Sequence, residues 1–190
     1  MSASASRLPG GCRHPEWQIH WEQIYADRDP AVVSWYQAHP EHSLSLIDDT
    51  GIGSTARILD VGGGASKLVD HLLTAGYRNL TVLDIAAISI ERARLRLGER
   101  AKQVNWLVGD VTNFTTPQPF DVWHDRAVFH FLTNEQDRAF YVESMLNALT
   151  RGGQAIIATF SDSGPSQCNG LEVVRYSPAE LSNTLGPCFH

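Results

Sequence analysis

The sequence has few cysteines, no long apolar run and no excess of positive charge. Its three cysteines, Cys12, Cys168 and Cys188, are far apart and form no CxxC pair. They indicate neither a disulfide framework nor a zinc site, so we expect a reducing, cytoplasmic location and no bound metal. No stretch approaches the roughly 18 consecutive apolar residues of a membrane span. The first residues also lack the apolar core of a signal peptide, so we expect no membrane partner.

The charge balance excludes other classes of partner. Asp and Glu number 21 against 15 Lys and Arg, which gives a net charge of −6. The densest basic group, Arg92, Arg94, Arg96 and Arg100, falls in a predicted helix and is typical of a solvated helix face. Because nucleic-acid binding needs clustered positive charge, we expect no nucleic-acid partner. A length of 190 residues with 43% hydrophobic residues predicts a single globular domain.

The chain divides into three regions by composition. Residues 1–14 are small, polar and rich in Gly and Pro, so we expect a disordered tail. Residues 15–50 are dense in Trp, Tyr and His and are expected to form a separate amino-terminal segment with a helix near its end. Residues 51–190 alternate between apolar runs and helical patterns, which predicts the core of the domain.

The alternation in the core predicts the fold class. Predicted strands cover 57–61, 80–84, 104–108, 120–123 and 154–160. Predicted helices cover 66–75, 87–97, 134–150 and a last segment that starts at Ser177-Pro178. Strands that alternate with helices predict an α/β fold, a doubly wound, Rossmann-like and mostly parallel sheet with helices on both faces. Such sheets bind ligands beyond the carboxyl ends of their strands.

A glycine-rich turn follows the first core strand. Asp60 is followed after one residue by Gly62, Gly63 and Gly64, and then by a helix. Glycine suits a sharp turn and a close approach of ligand to backbone, although a plain packing turn has the same pattern. A carboxylate here would repel the pyrophosphate of a dinucleotide, and Lys67 stands where GxGxxG has its last glycine. S-adenosyl-L-methionine (SAM) has no phosphate and carries positive groups, which Asp60 would attract.

Two more aspartates end the next two strands. Asp84, followed by Ile85, lies at the spacing where a carboxylate can accept hydrogen bonds from ribose hydroxyls. Asp110, followed by Val111, can accept from an adenine amino group. Each alone is also explained as a strand-end residue that caps the next helix. Three acidic residues at consecutive strand ends, each suited to one part of SAM, predict a SAM site.

The motif series supports this interpretation. In order, the motifs are ILDVGGGAS, TVLDI, VGDV, FDVWHDRAVFHFL and GGQAIIATF, over residues 56–160. This series resembles that of class I SAM-dependent methyltransferases. Asp125-Arg126-Ala127 is similar to the Asp-Arg-Gly of thiopurine S-methyltransferases and to the Asp-Lys-Gly of enzymes that methylate elongation-factor lysines. The resemblance implies that Arg126 orients SAM or pairs with a carboxylate.

The amino-terminal WEQIY and SWY are similar to the aromatic segment that covers the cofactor in both groups. The resemblance implies that residues 15–50 form a helical cap and that Trp21, Tyr25 and Trp35 contact SAM. Packing of an amino-terminal helix explains these aromatic residues almost equally well. Enzymes of the class usually continue with two more strands, which we do not find after the last predicted helix. The strand at 154–160 is then expected at the sheet edge, where self-association would follow.

Candidates for the chemistry follow the fourth strand. His124 and His130 are potential general bases near neutral pH, and Asp125 lies beside the first of them. Each histidine is also explained as a structural residue. We expect in-line methyl transfer from SAM to a small-molecule acceptor, with protein lysine methylation or a non-catalytic SAM-binding domain as alternatives. A nicotinamide-dependent reductase is disfavoured by Asp60 and Lys67.

Overall fold

The computed structural model describes residues 5–7, 11–28, 33 and 35–189. Its strands are β1 Ser6–Arg7, β2 Arg57–Val61, β3 Asn79–Asp84, β4 Val104–Val108, β5 Phe120–Arg126, β6 Leu149–Ala158, β7 Gln167–Cys168 and β8 Leu171–Glu172. Its α-helices are α1 Pro15–Asp27, α2 Glu41–Asp49, α3 Leu68–Thr74, α4 Ala87–Leu97, α5 Glu135–Ala148 and α6 Pro178–Leu185. Short 3₁₀ turns cover Gly98–Gln103, Val111–Asn113 and Phe129–Phe131.

Six strands form one sheet in the order β1-β4-β3-β2-β5-β6, and every neighbouring pair is parallel. The central strands are buried on both faces, which explains their continuous apolar runs. Ile58 and Val82 join the core on one face, whereas Leu59 and Leu83 join the core on the other. The alternation follows from the two-residue period of a strand. The predicted Rossmann-like α/β fold is confirmed.

The strand prediction differs by one or two residues at the start of β3 and the end of β6, and it was wrong by three residues or more at two other ends. β5 continues to Arg126 instead of stopping at Trp123, because residues 124–126 pair with β6. β6 begins at Leu149, directly after α5, and not at Gln154. Gly152 takes a positive φ of 80° within this stretch, which glycine allows without strain.

The expected disorder of residues 1–14 does not hold for the part that the structure describes. Ser6 and Arg7 pair with Leu107 and Val108 as a parallel edge strand. The backbone N–H of Arg13 donates to Asp110. Composition missed this contact because an edge strand offers unpaired backbone groups, which can bind a segment of almost any sequence.

β6 lies at the other edge of the sheet, where the sequence predicted its fifth strand. Over the described chain, β7 and β8 pair only with each other, antiparallel, and add nothing to the main sheet. The outer side of β6 has no neighbouring strand among the described residues. None of the described helices is long and apolar enough to cross a membrane.

Candidate active site

A cavity of about 460 Å³ lies at the carboxyl ends of the strands, beneath α1. Its wall contains Trp17, Trp21, Tyr25, Trp35, Tyr36, Gln37, Val61, Gly62, Leu83, Asp84, Ile85, Gly109, Asp110, Val111, Arg126, Ala127, Val128, His130, Phe131, Leu132, Ala158, Thr159, Phe160, Cys168, Asn169 and Leu171. This is the place where a doubly wound sheet binds its ligand. Sequence reasoning did not single out Trp17, Phe131 or Phe160, whose aromatic character is equally typical of a core.

Aromatic side chains of α1 and of the segment after it cover the cavity. Trp21 packs edge-to-face against Trp35 and Phe131, with ring centroids 6.1 and 5.1 Å apart. Tyr25 is buried beside them. Burial raises the pKa of its phenol, and the nearby Asp84 carboxylate adds to this effect. The structure brings the three predicted aromatic residues together in one wall, and their contact with SAM stays a prediction.

Asp84 ends β3 and faces the cavity with Ile85. Its Oδ2 accepts from the N–H of Gly64 at 3.0 Å, and its Oδ1 accepts from the N–H of Ala86 at 2.8 Å. Burial raises the pKa of this carboxyl to about 6. Each carboxylate oxygen has two lone pairs, so both can still accept from ligand hydroxyls.

Only the first glycine of the turn faces the cavity. Gly62 has a φ of +67°, and its N–H donates to the Leu83 carbonyl at 2.7 Å. A Cβ on Gly62 would collide with Val128, so the close approach needs glycine. Gly63 and Gly64 lie behind the wall, where side chains would collide with Asp60 and with Asp84 and Ser89, respectively. The lack of a side chain at both positions allows the turn to pack on these residues, and their part in cofactor binding stays a prediction.

Asp110 faces the cavity with Val111, and its carboxylate already has several partners. Oδ1 accepts from the backbone and hydroxyl of Thr112 at 2.9 and 2.7 Å. Oδ2 accepts from the N–H of Arg13 at 3.1 Å and faces the thiol of Cys12 at 3.6 Å. Burial, with a contribution from Asp110, raises the pKa of that thiol to about 11. Asp110 thus joins its own turn to the amino-terminal segment.

Asp60 lies inside the sheet and not in the cavity wall. His124 Nδ1 donates to its Oδ1 at 2.7 Å, and the Ser43 hydroxyl lies 2.9 Å from His124 Nε2. Asp60 Oδ2 is buried and has no hydrogen-bond partner among the described residues. Asp60 was expected to attract the methionine end of SAM, directly or through water, and this role stays a prediction. Its carboxylate is separated from the cavity because Gly63 packs on it.

Two of the three candidates for catalysis are also internal. Both ring nitrogens of His124 are engaged, as described above, and the residue does not face the cavity. Asp125 is fully buried and accepts from the Tyr141 hydroxyl at 2.6 Å and from the N–H groups of Val128 and Phe129. Burial raises the pKa of its carboxyl to about 6. β5 extends past both residues and keeps their side chains within the core, so the structure does not bring them to the cavity wall, and their catalytic role stays a prediction.

The next two residues turn the chain towards the cavity. Arg126 faces the cavity, and its Nη1 donates to the Trp35 carbonyl at 3.2 Å, which joins β5 to the covering segment. Ala127 has a φ of +74°, a conformation that costs a non-glycine residue about 1–2 kcal/mol. This explains why the similar families have glycine at this position.

His130 differs from the other candidates. The residue belongs to the cavity wall, and its ring is buried between Phe131 and Phe160, with ring centroids 4.5 and 4.8 Å away. Neither ring nitrogen has a hydrogen-bond partner among the described residues. Burial lowers its pKa to about 4, so the ring is neutral near pH 7. Since a buried unpaired polar group costs about 1–3 kcal/mol, a ligand that hydrogen-bonds to this ring would gain affinity.

The β7–β8 hairpin closes the far side of the cavity. Cys168 and Asn169 face inward, and Arg28 Nη1 donates to Asn169 Oδ1 at 3.4 Å. This contact links the hairpin to the end of α1. Burial raises the pKa of the Cys168 thiol, so it stays protonated near neutral pH and is a weak nucleophile.

A parallel sheet with a glycine turn and acidic residues at the ends of neighbouring strands defines a nucleoside-binding α/β domain. Residues 58–153 match the family described as "Methyltransferase domain". The chain belongs to this family, within the class I SAM-dependent methyltransferases, whose cofactor is SAM.

Individual proteins agree with the family match. Nodulation protein S of Rhizobium tropici is 28% identical over 156 residues, which are 82% of this chain and 65% of that protein. The eEF1A lysine and N-terminal methyltransferase of Mus musculus is 27% identical over 120 residues, 62% of this chain and 17% of that protein. The DhpI–SAM–HEP complex has a TM-score of 0.66 at 18% identity, covers 94% of this chain and 89% of that one, and shows a shared fold. The chain spans less than two thirds of these two curated relatives.

Proposed function

We propose that this chain transfers the methyl group of SAM to a small-molecule acceptor. The observation that carries the proposal is the His130 ring: it is buried, neither of its nitrogens has a hydrogen-bond partner among the described residues, and the residue belongs to the cavity wall. The roof of α1 and the β7–β8 hairpin leave room for a compact acceptor. A catalytic site gains from such enclosure because it excludes water.

The residues of the cavity fit SAM. Asp84 and Ile85 would hold the ribose side, and Asp110 and Val111 the adenine side, while Gly62 lets the ligand approach the backbone. The aromatic cover would pack over the positive centre, where a ring face attracts a cation. SAM supplies a methyl group activated by its sulfonium. The protein orients the reactants and keeps water out.

His130 would act on the acceptor. With its pKa lowered to about 4 by burial, the ring is neutral and can accept a hydrogen bond from an attacking X–H group. Arg126 would orient a carboxylate of either ligand, because a guanidinium has five N–H donors and Nη1 alone binds the Trp35 carbonyl. The other two candidates, His124 and Asp125, support the loop between β5 and His130.

Protein lysine methylation is the second candidate, and similarity to the eEF1A methyltransferase favours it. The arginine at position 126, where the lysine-specific group has lysine, is a departure from that group. A non-catalytic SAM-binding domain is the remaining alternative.

One labelling experiment separates these functions. The protein is incubated with methyl-labelled SAM and a cell extract, which is then split into small-molecule and protein fractions. We expect label in the small-molecule fraction, and less of it with Asp84→Ala at a SAM concentration near the wild-type Kd. Label confined to protein would support the second candidate. Calorimetric binding of SAM without transfer to either fraction would support a non-catalytic domain.

A further inference from the structure

The N-cap residue of α4 has no side chain that can accept a hydrogen bond from the first turn of the helix. A helix begins with N–H groups that have no partner within the helix. Ala86 stands at the N-cap position, and its methyl group cannot accept a hydrogen bond. Asp84, two residues earlier, accepts from the N–H of Ala86 itself. The next two N–H groups, of Ala87 and Ile88, need another acceptor.

Glu22 of α1 supplies it. Its Oε1 accepts from Ala87 N–H at 2.7 Å, and its Oε2 accepts from Ile88 N–H at 3.1 Å. A carboxylate at this place is also favoured by the positive end of the helix dipole. The cap of α4 therefore comes from the helix that covers the cavity.

A second side chain of α1 holds the same turn. Gln18, one helical turn before Glu22, donates from Nε2 to the carbonyl of Ile85 at 3.2 Å. Ile85 and Asp84 both face the cavity. Residues 84–88 are thus bound on one side by the glycine turn, through Gly64 N–H, and on the other by α1. The position of α1 and the shape of the ribose-binding wall depend on the same contacts.

We propose that Glu22 is a positioning residue for the cofactor. Its carboxylate holds α1, the helix that covers the cavity, against the turn between β3 and α4. The wall around Asp84 and Ile85 is therefore ordered while α1 lies in this position. The inference rests on the proposed SAM chemistry. It differs from a simple capping role, because a cap within α4 would stabilise the helix without holding the cover.

Calorimetry with SAM tests the proposal on the full chain. We expect Glu22→Ala to weaken SAM binding by about 5- to 10-fold and Glu22→Gln by less, since the amide keeps one acceptor oxygen. The matched control is Gln23→Ala, an exposed neighbour on α1, which should bind SAM like the wild type. With acceptor in hand, Glu22→Ala should raise KM for SAM and leave kcat nearly unchanged.

A local cap separates positioning from helix stability. Ala86→Ser in the Glu22→Ala background gives α4 its own cap. We expect the melting temperature to recover while SAM affinity stays low. Recovery of affinity would reduce Glu22 to a helix cap and overturn the proposal, as would unchanged affinity in Glu22→Ala. Failure of the wild type to bind SAM would instead count against the proposed function.

Discussion

Two buried histidines on one segment show how differently the sheet interior and the cavity wall use the same side chain. His124, inside the sheet, is held between Asp60 and Ser43 through both ring nitrogens. His130, in the cavity wall, has no partner for either nitrogen among the described residues. Both are almost fully buried, so burial alone does not distinguish them. The difference lies in whether the protein itself satisfies the polar group.

Two buried aspartates repeat the contrast. Burial raises the pKa of both Asp84 and Asp125 to about 6. The hydrogen bonds of Asp125 connect β5, its following turn and Tyr141, away from the cavity. Asp84 faces the cavity and has acceptor capacity left. A perturbed pKa therefore marks a candidate site only where the group also reaches the ligand space.

The largest expected effect is on catalysis by His130. His130→Leu should lower kcat by roughly 10- to 100-fold, the scale of a lost hydrogen bond to the acceptor in a buried site, and leave the Kd of SAM unchanged. It should also raise the free energy of unfolding by about 1 kcal/mol, because it removes unpaired buried nitrogens. Steady-state kinetics and urea unfolding measure the two effects.

His124→Leu is the matched control. We expect it to lower the free energy of unfolding and to leave kcat unchanged. It leaves Asp60 and Ser43 without their partner, so the protein should lose about 2–3 kcal/mol of stability. The folded fraction should keep its kcat. A loss of kcat in folded His124→Leu, with normal kcat in His130→Leu, would reverse the assignment.

The next largest effect is expected on the free energy of unfolding. Asp125→Ala should cost about 3 kcal/mol, because it leaves the Tyr141 hydroxyl and two backbone N–H groups buried and unpaired. The pH dependence gives a second test. The unfolded carboxyl loses its proton near its ordinary pKa of 3.8, whereas the folded one keeps it to about 6. This group therefore makes the protein less stable as pH rises from about 4 to about 6.

Urea unfolding across that pH range measures both quantities. Asp125→Asn should remove this part of the pH dependence, while the contribution of Asp84 remains. An unchanged pH profile in Asp125→Asn, or a loss below about 1 kcal/mol in Asp125→Ala, would place the carboxylate outside the network.

A smaller effect is expected on cofactor affinity. Asp84→Ala should weaken SAM binding by about 1–3 kcal/mol, the scale of charge-assisted hydrogen bonds in a pocket. Since its folded pKa is about 6, wild-type affinity should also fall as pH drops below that value. Calorimetry between pH 5 and pH 8, in buffers of equal ionic strength, measures both effects. Equal affinity of folded Asp84→Ala and wild type would move the ribose site elsewhere.

The two edges of the sheet differ in the same way, in whether their backbone N–H and C=O groups have hydrogen-bond partners. β1 covers the edge of β4, whereas the outer edge of β6 has no strand beside it among the described residues. We expect weak self-association through this edge, seen as concentration-dependent sedimentation. Gln154→Lys, on an exposed position of β6, should reduce it because a charge blocks edge pairing. Slow amide exchange along β6 in a monomer would contradict the prediction.

The smallest effect is expected at the turn between Asp125 and His130. Ala127→Gly relieves a positive φ but adds freedom to the unfolded chain, so stability should change by less than about 1 kcal/mol, towards the stable side. Catalysis should not change. Destabilisation by more than that amount would mean that the Ala127 methyl group packs favourably in the cavity wall.

The sequence by itself predicted the parallel α/β sheet, most strand bounds and the strand ends where Asp84 and Asp110 meet the cavity. These features depend on local periods, on turns and on the rule that ligands bind at the carboxyl ends of strands. The prediction was weakest at residues 120–126, where an apolar run could not show that the strand continues through charged side chains. As a result, the sequence could not show that the side chains of His124 and Asp125 lie within the core.

Only the tertiary structure decided which polar side chains are occupied. The partners of His124 come from positions 43 and 60, and the cap of α4 comes from position 22, 65 residues before the N–H that it binds. Such pairs form because separate elements pack together, and nothing in the spacing along the chain specifies them. The period of a strand or helix is a property of neighbouring residues, so the sequence contains it directly. The satisfaction of a buried polar group is a property of the packed fold.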